Sequence, residues 1–531
     1  MNRRIGLITF ESIFFYSCLG ISVLAIMLNP SNPSLDGPSH LYNAKLINYL
    51  LGGDKFISHY YSLTKLPVAN LTDHYLLAFF ITVFSWQVSE KILVVLYLLS
   101  FSFLFRKLIK QWGSMNIGLS IFAIPFSFSS FYYMGFYNFC LSFPLLFGIL
   151  IYYHKYFVGE GKRTAFKNYS ILCLLATLLY FTNGLNFLFA GLSLFLLEMN
   201  VPIRLWQGKL AAPIKMDFKR LLSFSLIWAP GVACFLVFIF KVHINSGNFR
   251  ISIRNIVHLI NVIKPLTVDS GRDEIWTRVI LYLICTSLLV AIYFRVKRTT
   301  QFKTNPSDIF LLVAFISFLL FVIVPNNASV GMMSLRFLYF SFVCIVLWIA
   351  LQPNNKIITW AISIALMVIH FTMLLNIHQP IISNLNKQVE LVEEAGKVIK
   401  PNSIVLAKDY TNNWLLFHFA DYMGVEKPLV ILENYEADDG WFATAWNNYT
   451  VPKILINGEG PNSGYYNMYC NPSPETKAVD YIVVYGNYKD TIQRPDAKVM
   501  KSILSMDYKL IYTSTDNNIH IFSLAGIGIR R

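Results

Sequence analysis

Asp36 and His40 lie four positions apart, just after the first long apolar segment of the chain, in the stretch LDGPSHLYNAKLI. After Pro38, apolar residues recur at helical spacing up to Gly52 and Gly53, which predicts a short amphipathic helix in the plane of a membrane interface. A carboxylate at the start of that helix can take a proton from an attacking hydroxyl group. Asp36 is therefore a candidate general base, and His40 is a candidate metal ligand or acid-orienting group.

The alternative role for Asp36 is structural, because an Asp before Gly-Pro is typical of a helix N-cap or an Asx turn. The two roles are compatible, since a capped carboxylate is also a fixed one. Asp73 and His74, in NLTDHYLL, either supply a second acid and a second ligand or cap the helix that follows. Lys45 is a candidate donor-phosphate contact, and its alternative is a lysine that extends its charge to the membrane surface.

Three further candidates lie beside apolar segments. Arg336, in PNNASVGMMSLRFLYFSF, is predicted at the mouth of a span, where a guanidinium can bind a donor phosphate through two hydrogen bonds. Its alternative is an interfacial anchor. In FYYMGFYNFCLSF, Asn138 and Tyr137 are candidate acceptor or sugar contacts, with Tyr132 and Tyr133 as stacking surfaces. An aromatic belt at the membrane interface explains these tyrosines equally well.

The composition is that of a membrane protein. Of 531 residues, 55% are hydrophobic and only 14% are charged, against about 25% charged in soluble domains; the mean hydropathy is +0.51. The net charge of +15 does not indicate nucleic-acid binding, because the basic residues gather in short loops between apolar segments. That distribution is the positive-inside pattern of a polytopic protein, with membrane lipids as partners.

Twelve apolar segments are candidate spans: Ile5–Leu28, Leu71–Trp86, Lys91–Phe105, Ile117–Met134, Cys140–Phe157, Tyr169–Phe181, Leu185–Leu197, Leu221–Val242, Trp276–Phe294, Ile309–Val324, Phe337–Leu351 and Ile357–Leu375. The sequence TNG favours a turn between the sixth and seventh. The basic loops and the basic N-terminus lie on one side of the membrane and the tail lies on the other. This arrangement requires an odd number of crossings. We therefore predict about 11 to 13 transmembrane helices, with the second and third segments crossing only once between them.

The polar tail has a different pattern, and we divide the chain into a membrane domain, 1–377, with a first outer loop at 29–70, and a tail domain, 378–531. The runs SIVLAK, PLVILE, DYIVVYG and IHIFSL predict short strands, and NKQVELVEEAGKVIK predicts a helix. These elements indicate a small extracytoplasmic α/β domain. INGEGPNSGYYNMYCNPSP is predicted to be a long exposed loop. ENYEADDGWFATAWNN, with Glu433 and Glu436, combines acids and tryptophans that suit carbohydrate or cation contact, although a solvated loop is the simpler interpretation.

This layout resembles the GT-C superfamily of integral membrane glycosyltransferases, including bacterial mannosyltransferases and arabinosyltransferases. It has a first span, an outer loop that begins with an acid and a surface helix, many further spans and an outer α/β tail. The resemblance implies transfer of a sugar from a polyprenyl-phosphate carrier to a lipid, glycan or protein acceptor at the outer face of a cell inner (plasma) membrane. It also implies that the acid of the first outer loop, here Asp36, is catalytic or binds a metal.

One departure from that family bears on mechanism. Many members have a second acid in the next outer loop, whereas Phe131–Phe143 contains none. Its absence favours a metal-independent inverting enzyme with a monophosphate-linked donor. No cofactor is identified, and a divalent metal at His40, Asp73 and His74 stays open. The alternatives are a polysaccharide polymerase or ligase that uses the loop 243–275, or a transporter or flippase, which the near absence of charge within the spans and of internal repeats disfavours.

Overall fold

The computed structural model describes residues 2–113, 117–157, 166–199, 218–241, 251–269, 271–298, 306–326, 331–411, 413–447, 450, 479–486, 500, 501, 503–505 and 507–525. The α-helices in this part of the chain are α1 Asn2–Met27, α2 Gly37–Leu51, α3 Lys55–Tyr60, α4 Thr72–Ile81, α5 Trp86–Gln111, α6 Ala123–Ser127, α7 Ser130–Tyr133, α8 Tyr137–Phe157, α9 Phe166–Thr182, α10 Gly184–Glu198, α11 Phe218–Lys241, α12 Ile253–Asn261, α13 Glu274–Arg298, α14 Ile309–Ile323, α15 Met333–Leu351, α16 Lys356–Met373, α17 Gln379–Gly396, α18 Asp421–Glu426 and α19 Tyr435–Asp439. The strands are β1 Tyr61–Leu63, β2 Ser403–Asp409, β3 Leu429–Ile431, β4 Thr444–Trp446, β5 Tyr481–Tyr485, β6 Tyr508–Thr513 and β7 Ile519–Leu524.

Eight helical segments in the described residues are long and apolar enough to cross a membrane: Phe10–Met27, Trp86–Gln111, Tyr137–Phe157, Leu222–Lys241, Glu274–Lys297, Pro306–Ile323, Met333–Leu351 and Lys356–Gly396. Three shorter apolar segments add to them: Ile117–Tyr133, Phe166–Thr182 and Gly184–Glu198. Large apolar side chains such as Phe10, Phe240 and Leu289 are exposed on these helices. Such exposure suits contact with lipid tails, and the chain is a multi-pass membrane protein.

The helix bounds refine the predicted spans. Helix α4 has ten residues and is about 15 Å long, half of the roughly 30 Å that a span needs, whereas α5 has 26 residues. This difference fits the prediction that the second and third segments cross once. The TNG turn is confirmed, because the Asn183 side chain accepts a hydrogen bond from the Asn186 amide and begins α10. The predicted span Ile117–Met134 is instead a series of short helices, since the backbone leaves helical geometry at Phe128 (φ −91°, ψ +43°).

The chain forms two compact units. The helical unit comprises residues 1–28 and 94–381, and the α/β unit comprises residues 29–93 and 382–531. This grouping differs from the division drawn from the sequence, which joined the loop 29–70 to the membrane domain. Long-range contacts, which no local pattern encodes, place that loop with the tail.

In the helical unit, α14 and α15 pack against each other, and polar side chains join them. The Ser317 hydroxyl donates to the Phe337 carbonyl oxygen (2.7 Å), and the Ser341 hydroxyl donates to the Ala314 carbonyl oxygen (2.9 Å). A buried ion pair adds to these contacts. Both terminal nitrogens of Arg295 donate to the Asp308 carboxylate, at 2.5 and 2.7 Å. These buried polar groups are thus matched inside the protein, as an apolar surrounding requires.

In the α/β unit, five strands form one sheet in the order β3-β2-β5-β7-β6. Strands β3, β2 and β5 are parallel to one another, and β7 is antiparallel to both of its neighbours, β5 and β6. All four predicted strand segments are confirmed, and the predicted tail helix is α17. The small α/β region predicted for the tail is thus present. The predicted loop INGEGPNSGYYNMYCNPSP lies outside the described residues.

Helix α2, predicted to have one polar face, is buried over most of its length. It reaches the sheet through Tyr42, whose hydroxyl donates to the Leu429 carbonyl oxygen (2.7 Å) at strand β3. Gly424 makes this approach possible, because a Cβ there would lie 2.4 Å from a carbon of the Tyr42 ring. Two amides, Asn43 and Asn434, exchange hydrogen bonds of 2.9 and 3.0 Å. The polar side of α2 therefore faces protein partners in this unit.

Candidate functional site

Asp36 occupies the N-cap position of α2, yet its side chain forms no capping hydrogen bond. The Ser34 hydroxyl instead accepts the Gly37 amide (3.1 Å), and Asp36 contributes only its carbonyl oxygen, to the His40 amide (3.0 Å). The capping alternative raised from the sequence is thus not how this carboxylate is used. The Asp36 side chain is 13% exposed, while the next residues of the helix are buried.

His418 is the partner of Asp36 in the tail, with Nε2 at 3.8 Å from the Asp36 carboxylate. Burial lowers the pKa of His418 to about 4, so the imidazole is neutral near pH 7. Its ring lies against Tyr435, with ring centroids 4.7 Å apart. A neutral imidazole beside the carboxylate adds no positive charge to this part of the site.

A second acid stands beside this pair. The Ser39 hydroxyl donates to the Asp421 carboxylate at 2.5 Å. Burial raises the pKa of Asp421 to about 7, against the smaller opposing effect of the Ser39 hydrogen bond. Asp421 is thus partly protonated near neutral pH, in contrast to a carboxylate in water. Acids whose environments separate their protonation states are typical of functional sites.

The structure brings His40, Asp73 and His74 together, and Glu436 of α19 joins them. His40 Nδ1 lies 2.8 Å from the Glu436 carboxylate, 3.3 Å from His74 Nε2 and 3.6 Å from the Asp73 carboxylate. His74 contacts both acids at 2.6 Å, Asp73 through Nδ1 and Glu436 through Nε2. Three of these side chains are fully buried, and His40 is 4% exposed. We call these four residues the His–carboxylate cluster.

The pKa values of the four side chains in the cluster depend strongly on one another. Burial alone would lower the pKa of His40, but the charges of Glu436 and Asp73 outweigh burial and raise it to about 9. Burial likewise opposes the ionised form of Glu436, yet the two imidazoles lower its pKa to about 2. The pKa of His74 is raised well above its usual value by the same two acids. These shifts favour the ionised form of the carboxylates and the protonated form of the imidazoles.

The cluster includes none of the other predicted residues. Lys45, on α2, holds its ammonium group 5.4 Å from the centre of the Tyr49 ring. Arg336, Asn138 and Tyr137 belong to the helical unit. The buried Arg336 guanidinium lies over Phe136 and Phe139, at 4.6 and 5.2 Å from the ring centres, and its Nε donates to the Gly331 carbonyl oxygen (3.2 Å).

The candidate stacking residues of the helical unit are mostly buried. Tyr132 and Tyr133 are 1% and 7% exposed. The Tyr133 hydroxyl lies 2.8 Å from His378 Nδ1, and His378 Nε2 lies 3.3 Å from the Asp273 carboxylate. A sugar-stacking role for these two tyrosines, and the predicted roles of Tyr137 and Asn138, stay predictions.

Sequence reasoning identifies neither His418 nor Asp421, and it favours a solvated loop for the acid-rich stretch that contains Glu436. The Glu436 side chain is fully buried. The interpretation as a solvated loop is wrong because α19 turns Glu436 toward His40 of α2 and His74 of α4. The sequence gives no signal for His418 and Asp421, because the residues around them form no motif with a recognisable spacing of reactive side chains.

The described helices and the α/β unit define the class of protein: the chain is a multi-pass membrane protein with a small α/β unit. It is similar to the crystal structure of ArnT from Cupriavidus metallidurans bound to undecaprenyl phosphate, with a TM-score of 0.52 over 98% of both chains and 8% sequence identity. At that identity the likeness shows the fold alone. No protein-family model matches the chain. No curated protein matches it in sequence either.

Proposed function

We propose that this protein is an inverting membrane glycosyltransferase that moves a sugar from a polyprenyl-phosphate carrier to an acceptor hydroxyl. The likeness to ArnT, whose structure contains undecaprenyl phosphate, supports a carrier of that class. The observation that carries the proposal is the state of Asp36. Its carboxylate is partly accessible, is not used as a helix cap and lies beside a neutral imidazole.

In the proposed step, the hydroxyl oxygen of the acceptor attacks the anomeric carbon of the donor. A carboxylate oxygen of Asp36 accepts the proton of that hydroxyl group at the same time. The new carbon–oxygen bond forms while the bond from that carbon to the phosphate oxygen breaks. The phosphate leaves with the bonding electrons, still attached to the polyprenyl chain. Attack on the side opposite the leaving group inverts the configuration, and a positioned carboxylate accelerates such a step by about 100- to 10,000-fold.

We propose that Arg336 binds the donor phosphate. A guanidinium cannot lose its charge at neutral pH and matches two phosphate oxygens at once. The Arg336 guanidinium carbon lies 4.6 and 5.2 Å from the centres of the Phe136 and Phe139 rings, an arrangement that favours a positive charge at this position. Lys45, on α2, is proposed as an additional phosphate contact. The acceptor is a lipid, glycan or protein on the outer face of the inner membrane, where we place the α/β unit.

The test is turnover of a panel of polyprenyl-phosphate sugars by purified protein. Asp36→Asn keeps the size of the side chain but cannot accept the proton, so we expect kcat to fall about 100- to 10,000-fold. Arg336→Lys should raise the donor KM about tenfold with little change in kcat, because a point charge replaces a two-bond contact. Glu426→Gln, which changes an exposed acid of the same unit, is the matched control and should behave like the wild type.

Full activity of Asp36→Asn would remove this carboxylate from the chemistry. If the wild type turns over no sugar donor but moves one across a vesicle membrane, the transporter alternative replaces the proposal. Product stereochemistry, read by NMR, decides between inversion and retention.

A further inference from the structure

The His–carboxylate cluster has the donor set of a divalent transition metal. Two imidazole nitrogens and two carboxylates from three separate segments converge inside the α/β unit: His40 from α2, Asp73 and His74 from α4, and Glu436 from α19. The potential ligand atoms of His40, Asp73 and His74 all lie within 4.8 Å of one another. Imidazole and carboxylate ligands in fourfold coordination are typical of zinc.

The distances around His40 Nδ1 agree with such a site. Ligand atoms about 2.1 Å from a tetrahedral zinc ion stand roughly 3.4 Å from one another. His40 Nδ1 stands 3.3 Å from His74 Nε2 and 3.6 Å from the Asp73 carboxylate. The Glu436 oxygens lie closer, at 2.8 Å from His40 and 2.6 Å from His74. A shift of less than 1 Å in Glu436 would bring both of these distances to about 3.4 Å.

The geometry at Glu436 is a second and independent observation. Glu436 Oε1 forms no hydrogen bond with any described residue, although His40 Nδ1 is only 2.8 Å away. The two atoms are close but not aligned as donor and acceptor. A fully buried carboxylate oxygen without a hydrogen bond is costly. A cation bound by both the Glu436 oxygen and the imidazole nitrogen would remove that cost.

The surroundings also orient the ligands. His74 Nδ1 lies 2.6 Å from the Asp73 carboxylate, which leaves Nε2 to face Glu436 and His40. A carboxylate next to one ring nitrogen commonly orients a metal-bound histidine, although the contact of His74 Nδ1 with Asp73 lacks the alignment of a hydrogen bond. The ring of Phe442 covers both imidazoles, with centroids 6.4 Å from His40 and 5.6 Å from His74. These contacts hold the ring planes in place before any ion binds.

The charge of the cluster suits a divalent metal. Two ionised carboxylates carry two negative charges, and one zinc ion with two neutral imidazoles balances them, so the loaded buried cluster is neutral. The site is closed to solvent, and a closed four-ligand site is structural rather than catalytic.

We propose that His40, Asp73, His74 and Glu436 bind one structural Zn²⁺ ion that joins α2 and α4 to α19 of the tail. The ion holds α2, and with it Asp36, in a fixed place in the α/β unit. This inference does not depend on the proposed glycosyl transfer, because it concerns metal content and stability. It also leaves the chemical step itself independent of metal.

The experiment uses full-length protein in detergent, stripped with a chelator, reloaded with ZnCl₂ and washed. We expect one zinc ion per chain in the wild type by mass spectrometry, and loss of most of it in His74→Gln and Glu436→Gln. His59→Gln, an exposed histidine of the same unit, is the matched control and should keep full loading. Asp36→Asn should also keep its zinc, even where it abolishes turnover.

Measurements on the wild type alone cover the case in which a cluster variant fails to fold. Chelation should lower the Tm by several degrees and added ZnCl₂ should restore it, because an ion that binds only the folded state stabilises it. The X-ray absorption spectrum should show nitrogen and oxygen ligands at about 2.0–2.2 Å and no sulfur.

A wild-type protein that takes up no stoichiometric zinc, with a Tm that chelation leaves unchanged, would show that the cluster is a network of ion pairs only. Full zinc content in folded His74→Gln and Glu436→Gln, or a sulfur ligand in the absorption spectrum, would also overturn the assignment. Zinc-loaded wild type without any turnover would count against the proposed function and leave this site standing.

Discussion

At the scale of single residues, the site is a set of ionisable groups whose charges are set by burial and by one another. Asp36 remains partly exposed beside a neutral His418, whereas Asp421 is buried with one hydroxyl donor. Burial raises the pKa of Asp421 to about 7. The shift arises from the surroundings, because an aspartate side chain in water keeps its ordinary pKa.

Asp421 should make stability depend on pH. Its pKa is about 7 in the folded protein against 3.8 without burial. Between those values the folded state keeps a proton that the unfolded state releases, so stability falls as the pH rises from about 4 to 7. Asp421→Asn cannot ionise and should gain at most about 4 kcal/mol over the wild type at pH 8, with little gain at pH 4.

Thermal unfolding in detergent at several pH values measures this effect, and Glu426→Gln serves as the control with an exposed acid. A Tm difference between Asp421→Asn and wild type that stays constant from pH 4 to pH 8 would contradict the assignment of the proton to Asp421.

At the scale of elements, α2 is positioned by polar partners that its own sequence does not contain. The Asn43 side chain exchanges two hydrogen bonds with Asn434 and accepts a third from the Thr444 hydroxyl. Asn434 directly precedes α19, so the same contacts place Glu436 against His40. The element that carries the candidate base is thus held by the same region of the tail that completes the cluster.

Asn43→Ala should destabilise the α/β unit by about 2 kcal/mol, because it leaves buried polar groups of Asn434 and Thr444 without this partner. The matched control is Asn48→Ala on the same helix, where a part-buried amide donates once, to the Ala78 carbonyl oxygen (2.9 Å). Tm values of the two variants compare the losses. Equal Tm values would show that the Asn43–Asn434 pair does not hold α2 in place.

At the scale of the whole molecule, orientation in the membrane follows from the basic loops. The positive-inside pattern predicts that the α/β unit is extracytoplasmic and that the C-terminal end of α13 is cytoplasmic. Single cysteines at the exposed positions Glu426 and Lys297, in a cysteine-free background, test this prediction with a membrane-impermeant maleimide.

We expect labelling of Glu426→Cys from outside intact cells, and labelling of Lys297→Cys only after the membrane is opened. The reverse pattern would place the α/β unit in the cytosol and, with it, Asp36, where an extracytoplasmic acceptor is out of reach.

The sequence by itself determined the class of architecture. Apolar length identifies membrane helices because a bilayer core imposes about 20 apolar residues on each. Short β-rich runs identified four strands, because alternation and bounding turn residues are local signals. The signals for the ends of α2 are also local. Pro38 lacks a backbone amide hydrogen and Gly52 has a flexible backbone, and both effects act within one helical turn.

Only the tertiary structure decided which groups meet. His74 and Glu436 are 362 positions apart, and no spacing rule connects them. Their approach depends on how α4 and α19 pack in one unit, which is a sum of many long-range contacts. Burial, and with it the shifted pKa values of Asp421, His40 and His418, is likewise a property of the packed unit, because the cost of a charge depends on what has displaced the water around it.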